Sequence, residues 1–149
     1  MTIKTYSYPV SDTYLSFEFD SAGPKGKIRK IVQYRLLHAN DIDYFNLGFG
    51  DLNPKTNKID DLAVTNNQDR EKILATVAGT VLQFTQHFSD AMVYAEGSTP
   101  ARTRLYQSAI AANWNEIEPL LRVFGYHQEE GWLPFRKNVN YQAFLVNRK

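Results

Sequence analysis

No cysteine occurs in the chain, which rules out disulfides, thiolate metal sites and a cysteine nucleophile. Long apolar runs are missing too: no stretch approaches the roughly 18 residues of a membrane-spanning helix. The first residues, Met1-Thr2-Ile3-Lys4-Thr5-Tyr6-Ser7-Tyr8, carry no signal-peptide core, so a soluble cytoplasmic protein is expected. Neither sign of charge dominates, since 17 Lys and Arg face 16 Asp and Glu for a net charge of +1. No global field then draws in nucleic acid or an anionic membrane, and any such role needs a local basic patch. Common chemical fingerprints are absent as well. There is no lysine-containing P-loop, no G-x-G-x-x-G and no acetyltransferase-type glycine loop, and Ser98 lacks the G-x-S-x-G flanks of a nucleophile elbow. His38, His87 and His127 lie far apart, without the H-x-x-x-H spacing of metal ligands, and are read as structural or exposed. These residues assign neither a cofactor nor a metal.

What is there is ordinary globular material: 149 residues, 43% hydrophobic and 22% charged, enough for one domain over residues 1–149 with a real core. Residues 14 to 20 alternate, with Leu15, Phe17 and Phe19 on one face and Ser16, Glu18 and Asp20 on the other, the pattern of a half-buried strand. The turn Ser21-Ala22-Gly23-Pro24-Lys25-Gly26 leads to a second strand from about 27 to 37. There Ile28, Val32, Tyr34 and Leu36 share a face and Lys30 interrupts it. A third strand is expected over 42–50 and a short fourth over 59–64. After Thr65 the period changes: Asn66 or Asn67 is the expected N-cap, and Ile73, Leu74, Val77, Val81, Phe84 and Phe88 recur at helical spacing. That helix should run about 20 residues, roughly 30 Å. A strand at 91–95 follows, then a helix from Pro100 to near Trp114. A further helix is expected from an Asn115/Glu118 capping box through Leu120, Leu121, Val123 and Phe124 to a terminating Gly125. Glu129-Glu130-Gly131 reads as a turn and 141–146 as a last strand. The fold class is α+β: an antiparallel meander, then helix-strand-helix-strand, in a mixed sheet with helices packed on it.

The densest information lies in Gly97-Ser98-Thr99-Pro100-Ala101-Arg102-Thr103-Arg104-Leu105-Tyr106. Gly permits a sharp reversal after the strand, Ser98 or Thr99 can cap the helix, and Pro100 suits its first position because the missing N–H has no partner there anyway. Arg102 and Arg104 then sit in the first turn, where cations are disfavoured unless an anion compensates them. Two readings follow. Either the arginines pair with internal carboxylates such as Asp90 or Glu96 and fasten the loop, or they serve an external anion. The candidate ligand-binding set is accordingly Gly97, Ser98, Thr99, Arg102, Arg104 and Tyr106.

These segments, with Asp51-Leu52-Asn53-Pro54, Asn66-Asn67 and the tail from Tyr141 to Lys149, resemble a family of short uncharacterised bacterial proteins sharing a G-S-T-P-x-R-T-R-L-Y motif. The resemblance spans nearly the whole chain and implies that 97–106 is a defining feature, with no activity attached. A weaker, architectural resemblance is to the ribonuclease H-like order. It implies carboxylates on the first strand and just after the fourth holding divalent metal, roles for which Asp20, Glu96 and Glu71 are the candidates. The leading reading is a non-catalytic binding or interaction module whose surface includes 97–106. Its partner would be a small anionic ligand or a protein, and a homo-oligomer is also open; the alternative is a metal-dependent nuclease-type enzyme. Tyr6, Tyr8 and Tyr14, with Pro9 between, either form a sticky arm or pack on the domain's own sheet.

Overall fold

The computed structural model describes residues 5–9, 11–60 and 67–149. Four strands come first: β1 (Ser16–Gly23), β2 (Gly26–Ala39), β3 (Ile42–Asn53) and β4 (Lys58–Asp60). Then follow α1 (Arg70–His87), β5 (Met92–Ala95), α2 (Pro100–Ala112), α3 (Trp114–Ile117), β6 (Leu121–His127), β7 (Gly131–Pro134) and β8 (Phe144–Arg148). The strands form one mixed, mostly antiparallel sheet ordered β1-β2-β3-β5-β8-β6-β7, with β4 paired to β3, so the chain is α+β. Among the described strands only β3 and β5 run parallel, and α1 lies in the crossover between them.

Local chemistry explains the meander. The β2–β3 reversal is a two-residue turn closed by the Ala39–Ile42 pair, with Asn40 and Asp41 both at positive φ. These residue types tolerate that region best, and its twist suits adjacent strands. The β1–β2 turn closes on the Gly23–Gly26 pair, Gly26 standing at φ 84°. Asn67 clasps it: Nδ2 donates to the Gly26 carbonyl at 2.9 Å and Oδ1 accepts the Lys25 N–H at 2.7 Å.

All the helices described pack on one sheet face. Phe17, Val32, Tyr34, Leu47, Val93, Val123, Phe144 and Val146 join residues of α1 and α3 in a continuous core. Tyr34 stacks on Phe84 at 4.0 Å, and its hydroxyl shares a buried hydrogen bond of 2.9 Å with Thr80. Arg148 donates from Nη2 to the Leu82 carbonyl at 2.6 Å, tying β8 to α1. The apparent interruption at Lys30 is resolved by position: it is buried on the helix face and paired with Asp51 across the β2–β3 register. The tyrosine arm packs on its own domain. Tyr6 stacks on Phe19, Tyr8 meets Phe17 edge-on, and Tyr14 lies 3.7 Å from the His87 ring. No helix described is long and apolar enough to cross a membrane.

Several expectations need correction. The helix expected through Leu120 to Gly125 is strand β6; only Trp114–Ile117 is helical, and Asn113 rather than Asn115 stands at its N-cap. Pro119 stops the helix, and Leu121, Val123 and Gly125 then alternate into the core. Apolar residues on both sides of this strand had imitated a helical run. Gly125 is no helix terminator but an interior residue of β6, where a Cβ would meet the Tyr141 ring at 2.3 Å. Strand β7 was not anticipated, and the last strand begins at Phe144 rather than 141. Helix α1 begins at Arg70 with Asp69 as N-cap, since Asn67 is engaged with the β1–β2 turn. The expected fourth strand is seen over Lys58–Asp60; residues 61–64, like Asn66, lie outside the described residues.

Candidate functional site

The segment 97–106 forms the link from β5 into α2. Thr99 is the N-cap, extended at φ −137° and ψ 160°, and its side chain accepts the Arg102 N–H at 3.2 Å. Pro100 occupies the first helical turn, where its fixed φ suits the helix. Gly97 is required by space rather than by dihedral angle. A Cβ there would stand 2.4 Å from the Thr103 nitrogen and 2.6 Å from Arg102 atoms. That close approach lets the Gly97 N–H donate to Thr103 Oγ1 at 3.0 Å, while the same hydroxyl donates to the Thr99 carbonyl at 3.3 Å. Thr103 is buried, so it completes backbone bonds that water does not reach.

Beside this link lies a cleft of about 670 Å³, lined on one wall by Glu96, Ser98, Thr99 and Arg104. The opposite wall is formed by His127, Glu129, Asn140 and Gln142. Those residues come from the β6–β7 turn and the approach to β8, about 30 to 45 positions further along the chain. Gln107, one position past the motif, holds the walls together. Its Nε2 donates to the Val139 carbonyl at 2.5 Å and its Oε1 accepts the Tyr141 N–H at 3.3 Å. Tyr141 in turn receives the Arg136 N–H at 3.0 Å on its hydroxyl.

Of the candidates, Gly97, Ser98, Thr99 and Arg104 line the cleft, whereas Arg102 and Tyr106 do not. Tyr106 instead borders the apolar interior between α2 and the sheet. Arg104 is exposed and makes no ion pair with any described residue. His127 accepts the N–H groups of Glu129 and Glu130 on Nδ1, at 3.2 and 3.3 Å. That pattern puts the neutral ring's proton on Nε2. Glu96 accepts the Tyr94 hydroxyl at 2.5 Å. Burial, then the bond to Glu96 and its charge, raise the Tyr94 phenol above its ordinary value. The cleft thus offers a guanidinium and hydroxyls at the helix end, with carboxylates and amides around them.

Asp20, Glu71 and Glu96 are not brought together. Asp20 lies on the edge strand and pairs with Arg29 at 2.8 Å. Two strands separate it from β5, roughly 14 Å at the usual strand spacing. Glu71 lies beside Arg70, Ser108 and Asn113 in a different recess. Among the described residues no three His, Asp or Glu side chains gather as a metal site. Sequence reasoning missed His127, Asn140, Gln142 and Gln107, since isolated polar residues near turns carry no periodic signal. No curated protein and no solved structure matches the chain. A family model does, over residues 2–149, and the chain belongs to that family, a family of unknown function (DUF6934).

Proposed function

We propose that the protein is a non-catalytic binding module whose ligand, a small molecule bearing an anionic group, occupies the cleft beside Gly97 to Arg104. The observation that carries this reading is Arg104: an exposed guanidinium one turn into α2, lining a cleft and without an ion pair among the described residues. An exposed guanidinium facing such a cleft is a ready partner for a carboxylate or phosphate. Ser98 and Thr99 add hydroxyls, while Glu96, Asn140 and Gln142 suit hydroxyl or amine groups elsewhere on the ligand. A catalytic role for Ser98 is not favoured, because the acceptor nitrogen of His127 is already engaged by its own turn.

The test is a thermal-shift screen with nucleotides and phosphorylated or carboxylated metabolites, followed by calorimetry on Arg104→Gln. Because Arg104 is exposed and makes no ion pair with a described residue, the variant should keep its stability within about 0.5 kcal/mol. Its affinity for a hit should fall roughly tenfold or more, the value of one charge-assisted hydrogen bond. A loss of several kcal/mol in the ligand-free variant would instead make Arg104 part of a fold-fastening motif.

A further inference from the structure

We infer that the sheet face opposite the helices is a stacking platform for single-stranded nucleic acid. The registers put Tyr44, Tyr94, Tyr126 and Trp132 on that face, with the core residues Leu47, Val93, Val123 and Phe144 on the other. The four rings form an unbroken line across the sheet. Tyr44 and Tyr94 are 5.9 Å apart, Tyr94 and Trp132 6.2 Å, and Trp132 and Tyr126 5.2 Å. Trp132 is 41% exposed and Tyr126 37%, the two largest aromatic exposures on the described surface.

Two features favour nucleic acid over a second copy of the chain. The first is the chemistry of the line, four flat Tyr and Trp rings in succession on one sheet face. Every base offers a π-face to such rings, which makes the contact tolerant of sequence. The second is charge. In the cross-strand rows through Tyr94 and Tyr44 the charged side chains are Arg35 and Arg122, and no carboxylate stands between them. Asn46 and Asn147 fill the same rows with amides that can reach base edges. The β1 edge of the sheet contrasts, since Arg29 there is neutralised by Asp20 at 2.8 Å and Glu18 at 3.6 Å. Arg122 gives one N–H to the Arg148 carbonyl at 3.2 Å, and its guanidinium retains other donors for phosphate. Glu96, past the end of β5, accepts the Tyr94 hydroxyl, and the exposed Glu129 and Glu130 stand in the β6–β7 turn that precedes Trp132, outside those two rows. The net charge of +1 supplies no long-range attraction, so binding is local, with stacking as the main contribution.

Fluorescence anisotropy of the full chain with a fluorescein-labelled 12-nucleotide oligouridylate, and with its thymidylate counterpart, tests this. Binding is expected at 50 mM salt. With two phosphates neutralised, affinity should fall about 25-fold on raising salt tenfold, from a slope of about −0.7 per contact. Trp132→Ala should weaken binding by about 5-fold or more, the effect of one lost base–aromatic stack, and Trp132→Phe should restore most of it. Arg35→Gln with Arg122→Gln should flatten the salt dependence. Tyr126→Ala, at the exposed end of the line, gives a second measure if Trp132→Ala fails to fold. No anisotropy change at 100 µM protein, or equal binding by the alanine variants, would overturn the inference. So would a dimer in sedimentation velocity that Trp132→Ala dissolves. Binding lost in Arg104→Gln but kept in Trp132→Ala would put the oligonucleotide in the cleft and overturn it too.

Discussion

Replacing Gly97 by alanine should destabilise the protein by about 2–3 kcal/mol. The new methyl would stand 2.4 Å from the Thr103 nitrogen and 2.6 Å from the Arg102 carbonyl carbon and Cβ. Ordinary contacts for such a carbon begin near 3.4 Å, so β5 and α2 must separate by about 1 Å. Overpacking of this kind costs about 1–3 kcal/mol, and more where the obstacle is backbone rather than a side chain. Separation also stretches the 3.0 Å bond from the Gly97 N–H to the buried Thr103 hydroxyl, and an orphaned buried donor adds about 1–3 kcal/mol. Reduced freedom of the unfolded chain returns about 0.4–1 kcal/mol. Urea denaturation measures the result, with an unchanged m value showing that the unfolded state is not what moved. The melting temperature should drop by roughly 5–12 °C for a domain of this size. Gly48→Ala is the control: its nearest neighbour would be the Ile59 side chain at 3.8 Å, and little change is expected. A Gly97→Ala protein within about 0.5 kcal/mol of wild type would refute the claim that close approach, rather than turn chemistry, requires glycine there.

Two further outcomes bear on the core. Lys30→Ala removes the buried ammonium that bonds to Asp51 across the β2–β3 register and should cost about 1.5–3 kcal/mol by chemical denaturation, the value of a hydrogen bond to a charged group. Burial holds the Tyr34 phenol above its ordinary value of 10.0, so above that pH the unfolded chain releases its proton first and stability falls as pH rises. Tyr34→Phe should reduce the stability lost between pH 10 and 11 by about 1 kcal/mol, and an unchanged loss over that interval would contradict the assignment.

The strand Ser16–Gly23, the helix Arg70–His87 and the Thr99–Pro100 start of α2 are legible in the chain because their signals are local. Alternation at Phe17 and Phe19, helical spacing from Ile73 to Phe84, and the order Gly, Ser, Thr, Pro depend on residues no more than four positions apart. Where neighbouring positions on both faces are apolar, as at Leu121 to Tyr126, that same local signal is ambiguous, and pairing with β8 and β7 decides for a strand.

The sequence by itself determined the α+β class, the antiparallel meander and the cap that opens α2, all of them consequences of propensity and period. Tertiary structure alone decided that β5 joins β3 rather than β1, which separates Asp20 from Glu96. It also decided that Arg104 rather than Arg102 faces the cleft, and that the cleft's second wall comes from the β6–β7 turn and the approach to β8. Tyr44, Tyr94 and Trp132 form a line only because strands from three separate parts of the chain become neighbours. Contacts between residues tens of positions apart depend on how the whole sheet closes over its core, and no local pattern carries that information.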